Sequence, residues 1–154
     1  DYLFALLLSM FHRPYHLHAE QKTFDQFIGG QCKTVSRERY AESFKNPMIM
    51  WNKKNKSYLD LCDYGLGLIV SYESFLGAPE DWMTLIENKF LLNRKSSSWV
   101  NINNDVKGGA RNLAFYKDYY LNCRWINALN LKQIYKINQS LDDGVMNEYG
   151  YQKI

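Results

Sequence analysis

Apolar residues that recur every three or four positions constrain this chain more than any other feature. Between residues 57 and 76 the stripe Tyr58, Cys62, Leu66, Ile69, Tyr72 and Leu76 puts about one apolar side chain per turn on a single helix face. The spacing returns at Phe24, Phe27 and Ile28, at Trp82, Leu85, Ile86 and Phe90, and at Leu113, Tyr116, Tyr120 and Cys123. Strand-type alternation is weak throughout. The expected fold class is therefore all-α: a compact, mainly helical bundle, one domain over residues 1–154. A chain of 154 residues with 46% apolar content is long enough to bury a real core. No apolar run reaches the ~18–20 residues that cross a bilayer, so no membrane partner is expected.

Local signals place the elements. A short helix is expected over about 18–31, stopped by Gly29-Gly30, and another from Ser36 to Phe44, ended or kinked by Asn46-Pro47. Ser57 and Asp60 have the spacing of a capping box at the start of a helix running to Leu76. Gly77-Ala78-Pro79-Glu80-Asp81 ends one helix and opens the next, with proline at the first position and acids in the first turn. Residues 93–109 read as one long loop, 110–126 as the last long helix, and Leu131 to Leu141 as a shorter apolar segment that breaks at Asp142-Asp143-Gly144.

Charge is distributed in blocks. Residues 33–56 carry seven basic groups against two acidic ones, 57–92 one against six, and 93–136 eight against two. Two basic blocks around an acidic one fit a protein with one basic face, and equally fit ordinary solvated helix faces. Cys32, Cys62 and Cys123 form no CxxC pair and leave a thiol over, which favours reduced usage and a cytoplasmic location.

Several constellations have chemical potential. His12, His16 and His18 hold all the imidazoles, yet Pro14 interrupts the helix that would align them, so no metal and no cofactor is expected. Arg13 and His18 are an Arg-x4-His pair of the kind that holds a phosphate and moves a proton. Glu20 and Lys22 place a carboxylate close to an amine, which is what glycosidic-bond chemistry on a nucleotide uses; a solvated helix start has the same composition. Because Lys22 and Asp25 are three apart they share a helix face, whereas Glu20 and Lys22 do not. The expected catalytic set is thus Lys22 as amine with Asp25, and Glu20 behind them. Asn46 and Trp51 precede Lys53, Lys54 and Lys56, a Trp among cations that suits base stacking beside phosphate contacts, or a core Trp beside a solvated face. Lys107-Gly108-Gly109 with Arg111 suits a phosphate at a helix start, or a simple loop hinge.

Taken in order, His16-Leu17-His18-Ala19-Glu20, then Asn46-Pro47 with Trp51, Tyr58 and Tyr72, then Ala114-Phe115-Tyr116-Lys117-Asp118-Tyr119-Tyr120 resemble the pyrimidine-dimer DNA glycosylase/AP lyase family of the phage endonuclease V type. The resemblance implies an all-α protein that binds duplex DNA and turns a nucleotide out, with an amine attacking the sugar C1′ and no metal. The expected nucleic-acid contacts are His16, His18, Asn46, Trp51, Lys53, Lys54, Lys56, Lys107 and Arg111. Thr23 stands where the family has its catalytic glutamate, so the chain reads as a divergent member, with or without the chemistry. The alternative is a non-catalytic helical interaction protein with a protein partner, such as a phage inhibitor or an immunity-type partner. That alternative expects an exposed aromatic patch and no concave basic groove.

Overall fold

The computed structural model describes residues 2–13, 15–34, 43–98 and 111–154. Among them lie eight α-helices and one 3-10 turn, with no strand beyond an isolated antiparallel bridge between Cys32 and Phe44, so the fold is all-α. None of these helices is long and apolar enough to cross a membrane.

The core is built from both ends of the chain. Helix α1 (Tyr2–Phe11) buries Leu3, Phe4 and Leu7, and the Phe4 ring stacks on Trp125, with centroids 5.2 Å apart. Trp125 belongs to the 3-10 turn Arg124–Ala128. Helix α2 (Phe24–Gly29) is opened by a capping box: Thr23 accepts from the Gln26 N–H while the Gln26 side chain accepts from the Thr23 N–H. It buries Phe27 and Ile28 and packs on α7 (Leu131–Gln139), which contributes Ile134 and Ile137. Helix α8 (Asp143–Glu148) closes the core with Val145 and Met146 against α3.

Helix α3 (Pro47–Asp63) corrects two expectations. Asn46-Pro47 does not end a helix but starts one: the Asn46 side chain accepts from the Ile49 N–H at 2.9 Å, and Pro47 takes the first position, where no N–H is needed. Ser57 therefore lies inside the helix and caps nothing; its hydroxyl donates to the Lys54 carbonyl. The helix expected over 57–76 is divided. Gly65, at φ +72°, takes the left-handed conformation after Asp63, and its N–H reaches the Cys62 carbonyl while the Leu66 N–H reaches Leu61. That pair of bonds is a Schellman stop. The chain resumes as α4 (Tyr72–Gly77), capped by Ser71.

Helices α4, α5 (Pro79–Phe90) and α6 (Leu113–Leu121) form a second group in which Leu76 alone is buried. Helix α4 packs on both α5 and α6. The helix expected over 110–126 is thus α6 followed by the 3-10 turn, joined at Cys123, whose φ is +50°. The break expected after Leu141 is present: α7 ends at Gln139, and Asp142 then caps α8. Residues 36–42 of the helix expected from Ser36 to Phe44 and most of the 93–109 loop, Lys107 included, lie outside the described residues, and Phe44 itself is in the bridge to Cys32 rather than helical.

Candidate nucleic-acid interface

Once α1 has turned Leu3, Phe4 and Leu7 into the core, its last turn leaves Ser9 and His12 on the opposite side, with Arg13 just beyond. Helix α6 passes nearby and presents Phe115, Tyr116, Tyr119 and Tyr120, with Arg111 ahead of its Asn112 cap. Between them is a cleft of about 550 Å³, lined also by Ala5, Leu8 and Ala128. This lies within the roughly 300–1,000 Å³ range of ligand sites.

The aromatic wall is ordered by the i, i+4 spacing of the helix. The Phe115 and Tyr119 rings lie within 12° of parallel with centroids 5.9 Å apart, and Tyr116 and Tyr120 within 17° at 6.5 Å. Tyr72 of α4 meets Tyr120 edge-on at 4.7 Å, which fixes the wall from behind. The Arg111 guanidinium sits 5.0 Å from the centre of the Phe115 ring. Burial holds the Tyr119 hydroxyl above its ordinary pKa, and the charge of Arg111 pulls it partly back. Among the described residues no carboxylate lines the cleft. Among the described residues neither Arg13 nor Arg111 is paired with an acid, whereas Arg94 is held by Glu80 and Glu87 and Arg124 by Asp118.

Of the expected nucleic-acid contacts Arg111 lines this cleft, beside His12, Arg13 and the rings of the 114–120 segment, which the sequence singled out for other reasons. Lys22, Glu20 and Asp25 do not line it. Lys22 is exposed with its backbone N–H on Gln26; the Asp25 carboxylate accepts from Gln133 of α7 at 2.9 Å rather than facing Lys22. Glu20 lies 3.9 Å from His18. His16 is buried, its Nδ1 at 2.8 Å from the Lys33 carbonyl, and so belongs to the framework rather than the surface. Asn46 is the α3 cap and also donates to the Ser140 hydroxyl. Trp51, expected as a stacking surface, is only 7% exposed and packs against both Tyr149 and Tyr151. Lys53, Lys54 and Lys56 lie on the outer part of α3: Lys53 over the Phe44 ring, Lys56 beside Asp60, and Lys54 at a different, apolar cleft.

That second cleft, about 650 Å³, is walled by Trp51, Tyr58, Leu66, Ile69 and Tyr149, among others. It is larger, and among the described residues that line it Lys54 is the one cation. Arg13, read from the sequence as a phosphate holder paired with His18, and the α6 rings, read as part of the resemblance, were not expected to share one site. Their signal was present in the aromatic pairs four apart at 115–119 and 116–120, but the spacing does not reveal which neighbour brings the charge.

No family model matches the chain, and neither a curated protein nor a solved structure shows a significant similarity to it.

Proposed function

We propose that the protein binds nucleic acid, with DNA as the substrate class, through the cleft between α1 and α6. The observation that carries this reading is the pairing of Arg13 and Arg111, which have no acidic partner among the described residues, with a wall of four aromatic rings and no carboxylate among the described residues that line the cleft. Arginines hold phosphates and ring faces take bases, and the two together make a binding site that neither makes alone. The proposal is one of binding. The amine and carboxylates that would perform glycosylase/lyase chemistry, Lys22, Asp25 and Glu20, are outside the cleft.

Fluorescence anisotropy with labelled DNA tests it. Binding is expected at low salt and is expected to weaken as salt rises, and Arg13→Ala with Arg111→Ala is expected to weaken it at least tenfold. Undetectable binding at about 50 mM salt, where phosphate contacts are strong, would remove the reading.

A protein partner is the second reading, and α5 is the observation that favours it. None of its residues is buried, and Leu85 and Phe90 stay exposed beside Leu91 and Leu92. Exposed apolar residues of this kind fit an interaction face. Loss of partner binding in Leu85→Asp, with DNA binding intact, would separate the two.

A further inference from the structure

We infer that the apolar cleft between α3 and the chain leading into α4 receives an extended, apolar peptide segment, which pairs its backbone along Gly67–Val70. This is a site apart from the cleft at Arg13 and Arg111, and it does not depend on the nucleic-acid reading.

The first observation concerns backbone groups. After the Schellman stop at Gly65 the chain runs without turn or bend from Gly67 to Ser71, through Leu68-Ile69-Val70, residue types that favour strands. No strand among the described residues lies beside it. Gly67, Leu68, Ile69 and Val70 make no backbone hydrogen bond to any described residue. The four residues are half-buried, so the segment is seated while its N–H and C=O groups stay open. That is the property of an edge strand. Alternate residues present both groups to the same side, and an added strand finds donors and acceptors already in register.

The second observation is the shape of the slot. At one end a Cβ on Gly67 would come within 3.0 Å of the Cys62 sulfur, so the backbone there lies against the last turn of α3. At the other end Glu73 accepts from the Tyr151 hydroxyl at 3.0 Å, and Tyr151 packs on Trp51 in the first turns of α3. The segment therefore runs antiparallel to the helix. From Trp51 to Cys62 the helix rises about 16 Å at ~1.5 Å per residue, the length of about five extended residues. The cleft of about 650 Å³ lies along this line, with Tyr58 and Leu61 on the helix side and Leu68 and Ile69 on the other. Apolar walls accept side chains and an open backbone edge accepts a main chain. A peptide strand meets both, whereas a purely apolar small molecule leaves the edge unmet. Among the described lining residues the charge is that of Lys54, with no carboxylate, so an acidic end suits the site better than a basic one.

The test is fluorescence anisotropy of the intact chain with three labelled heptapeptides, in which valine, isoleucine or leucine alternates with threonine between terminal aspartates. Saturable binding of at least one is expected below millimolar concentration, and is expected to be unchanged in Arg111→Ala. Peptide N-methylation then reads the backbone pairing without altering the protein. Methylating the alternate amides of one edge is expected to weaken binding about tenfold or more, and methylating those of the other edge less than about twofold. The protein should give the same alternation. Leu68 and Ile69 direct their N–H groups to opposite sides, so of Leu68→Pro and Ile69→Pro one is expected to abolish binding and the other to keep it. Neither N–H is bonded within the described residues, so both variants are expected to keep the parent's urea midpoint. Equal loss from methylating either edge, or no loss from either, overturns the pairing. Failure of all three peptides to bind at millimolar concentration overturns the site. Sedimentation showing a dimer of the chain that the same proline variant dissociates would overturn the peptide in favour of a second copy.

Discussion

Arg94 and Arg13 carry the same charge in opposite surroundings. Arg94 lies between Glu80, 2.5 Å away, and Glu87, 2.8 Å away, and its hydrogen bond to Glu80 raises its pKa above the usual guanidinium range. It ties the segment after α5 back to the start of that helix. Arg13 lines a cleft with rings and a second arginine, and among the described residues no acid pairs with it, which is why it is read as a contact and Arg94 as a clasp. The same comparison separates Trp51 from Phe115. Trp51 is buried against Tyr149 and Tyr151, and Trp51→Ala is expected to cost about 3–5 kcal/mol of stability in urea unfolding. Its effect on DNA affinity in the folded fraction should be small; a large loss of affinity at unchanged stability would return Trp51 to the binding surface. Lys22 lies on the open surface, whereas a nucleophilic lysine is activated by burial or a neighbouring cation. Borohydride treatment with an abasic-site duplex is accordingly expected to trap no adduct that Lys22→Ala abolishes.

Helix ends are where the elements departed from their expected bounds, and each departure has a local cause. The apolar stripe of residues 58–76 is continuous in sequence, but periodicity reports a face and not a backbone; Gly65 ends the helix by adopting φ +72° in the middle of the stripe. A helical glycine and a stopping glycine have the same letter, so the stripe alone could not distinguish them. Asn46-Pro47 was legible as a boundary, and only its direction was misread: proline is excluded from helix interiors and welcomed at the first turn. Pro79 with Glu80 and Asp81 was read correctly because acids after the proline fix the direction. In the cleft, Arg13 and Arg111 were each legible from sequence as phosphate holders, but that they share one site required knowing that α1 ends beside α6. Helix α5 ends differently. Leu91 takes the left-handed conformation at φ 53°, with its side chain 89% exposed, so it strains the backbone and packs on nothing that compensates. Leu91→Gly is expected to raise stability by about 1 kcal/mol, read as a higher urea midpoint. A lower midpoint would mean that the leucine packs in solution, against a partner or a neighbouring copy.

At the scale of the whole molecule, the core formed by α1, α2, α7, α8 and the first turns of α3 stands apart in character from the α4–α6 group, where aromatic rings are half-buried. Half-buried phenols make the fold sensitive to alkali. Tyr119 at the cationic cleft is held above its ordinary value of about 10 by burial, with Arg111 opposing. Tyr149 at the apolar cleft is raised by burial first, and then by the Cys62 and Tyr58 groups, whose negative charge would repel a phenolate. In both cases the folded protein holds the proton more tightly than the unfolded chain. Their contribution is therefore fully present below about pH 10 and is lost as pH rises through the folded values. Urea midpoints are expected to be level with respect to these two groups up to about pH 10 and to fall above it, and the fall should be shallower in the Tyr119→Phe, Tyr149→Phe double variant. Parallel curves for the two proteins would show that neither phenol contributes. The Tyr119 phenol also reports on the cleft: a phosphate that engages Arg111 removes the charge that favours the phenolate. Saturation with oligothymidylate should then move the Tyr119 titration, followed by tyrosinate absorbance against Tyr119→Phe, to still higher pH. A shift that persists in Arg111→Ala would break the link between the arginine, the ring and the bound strand.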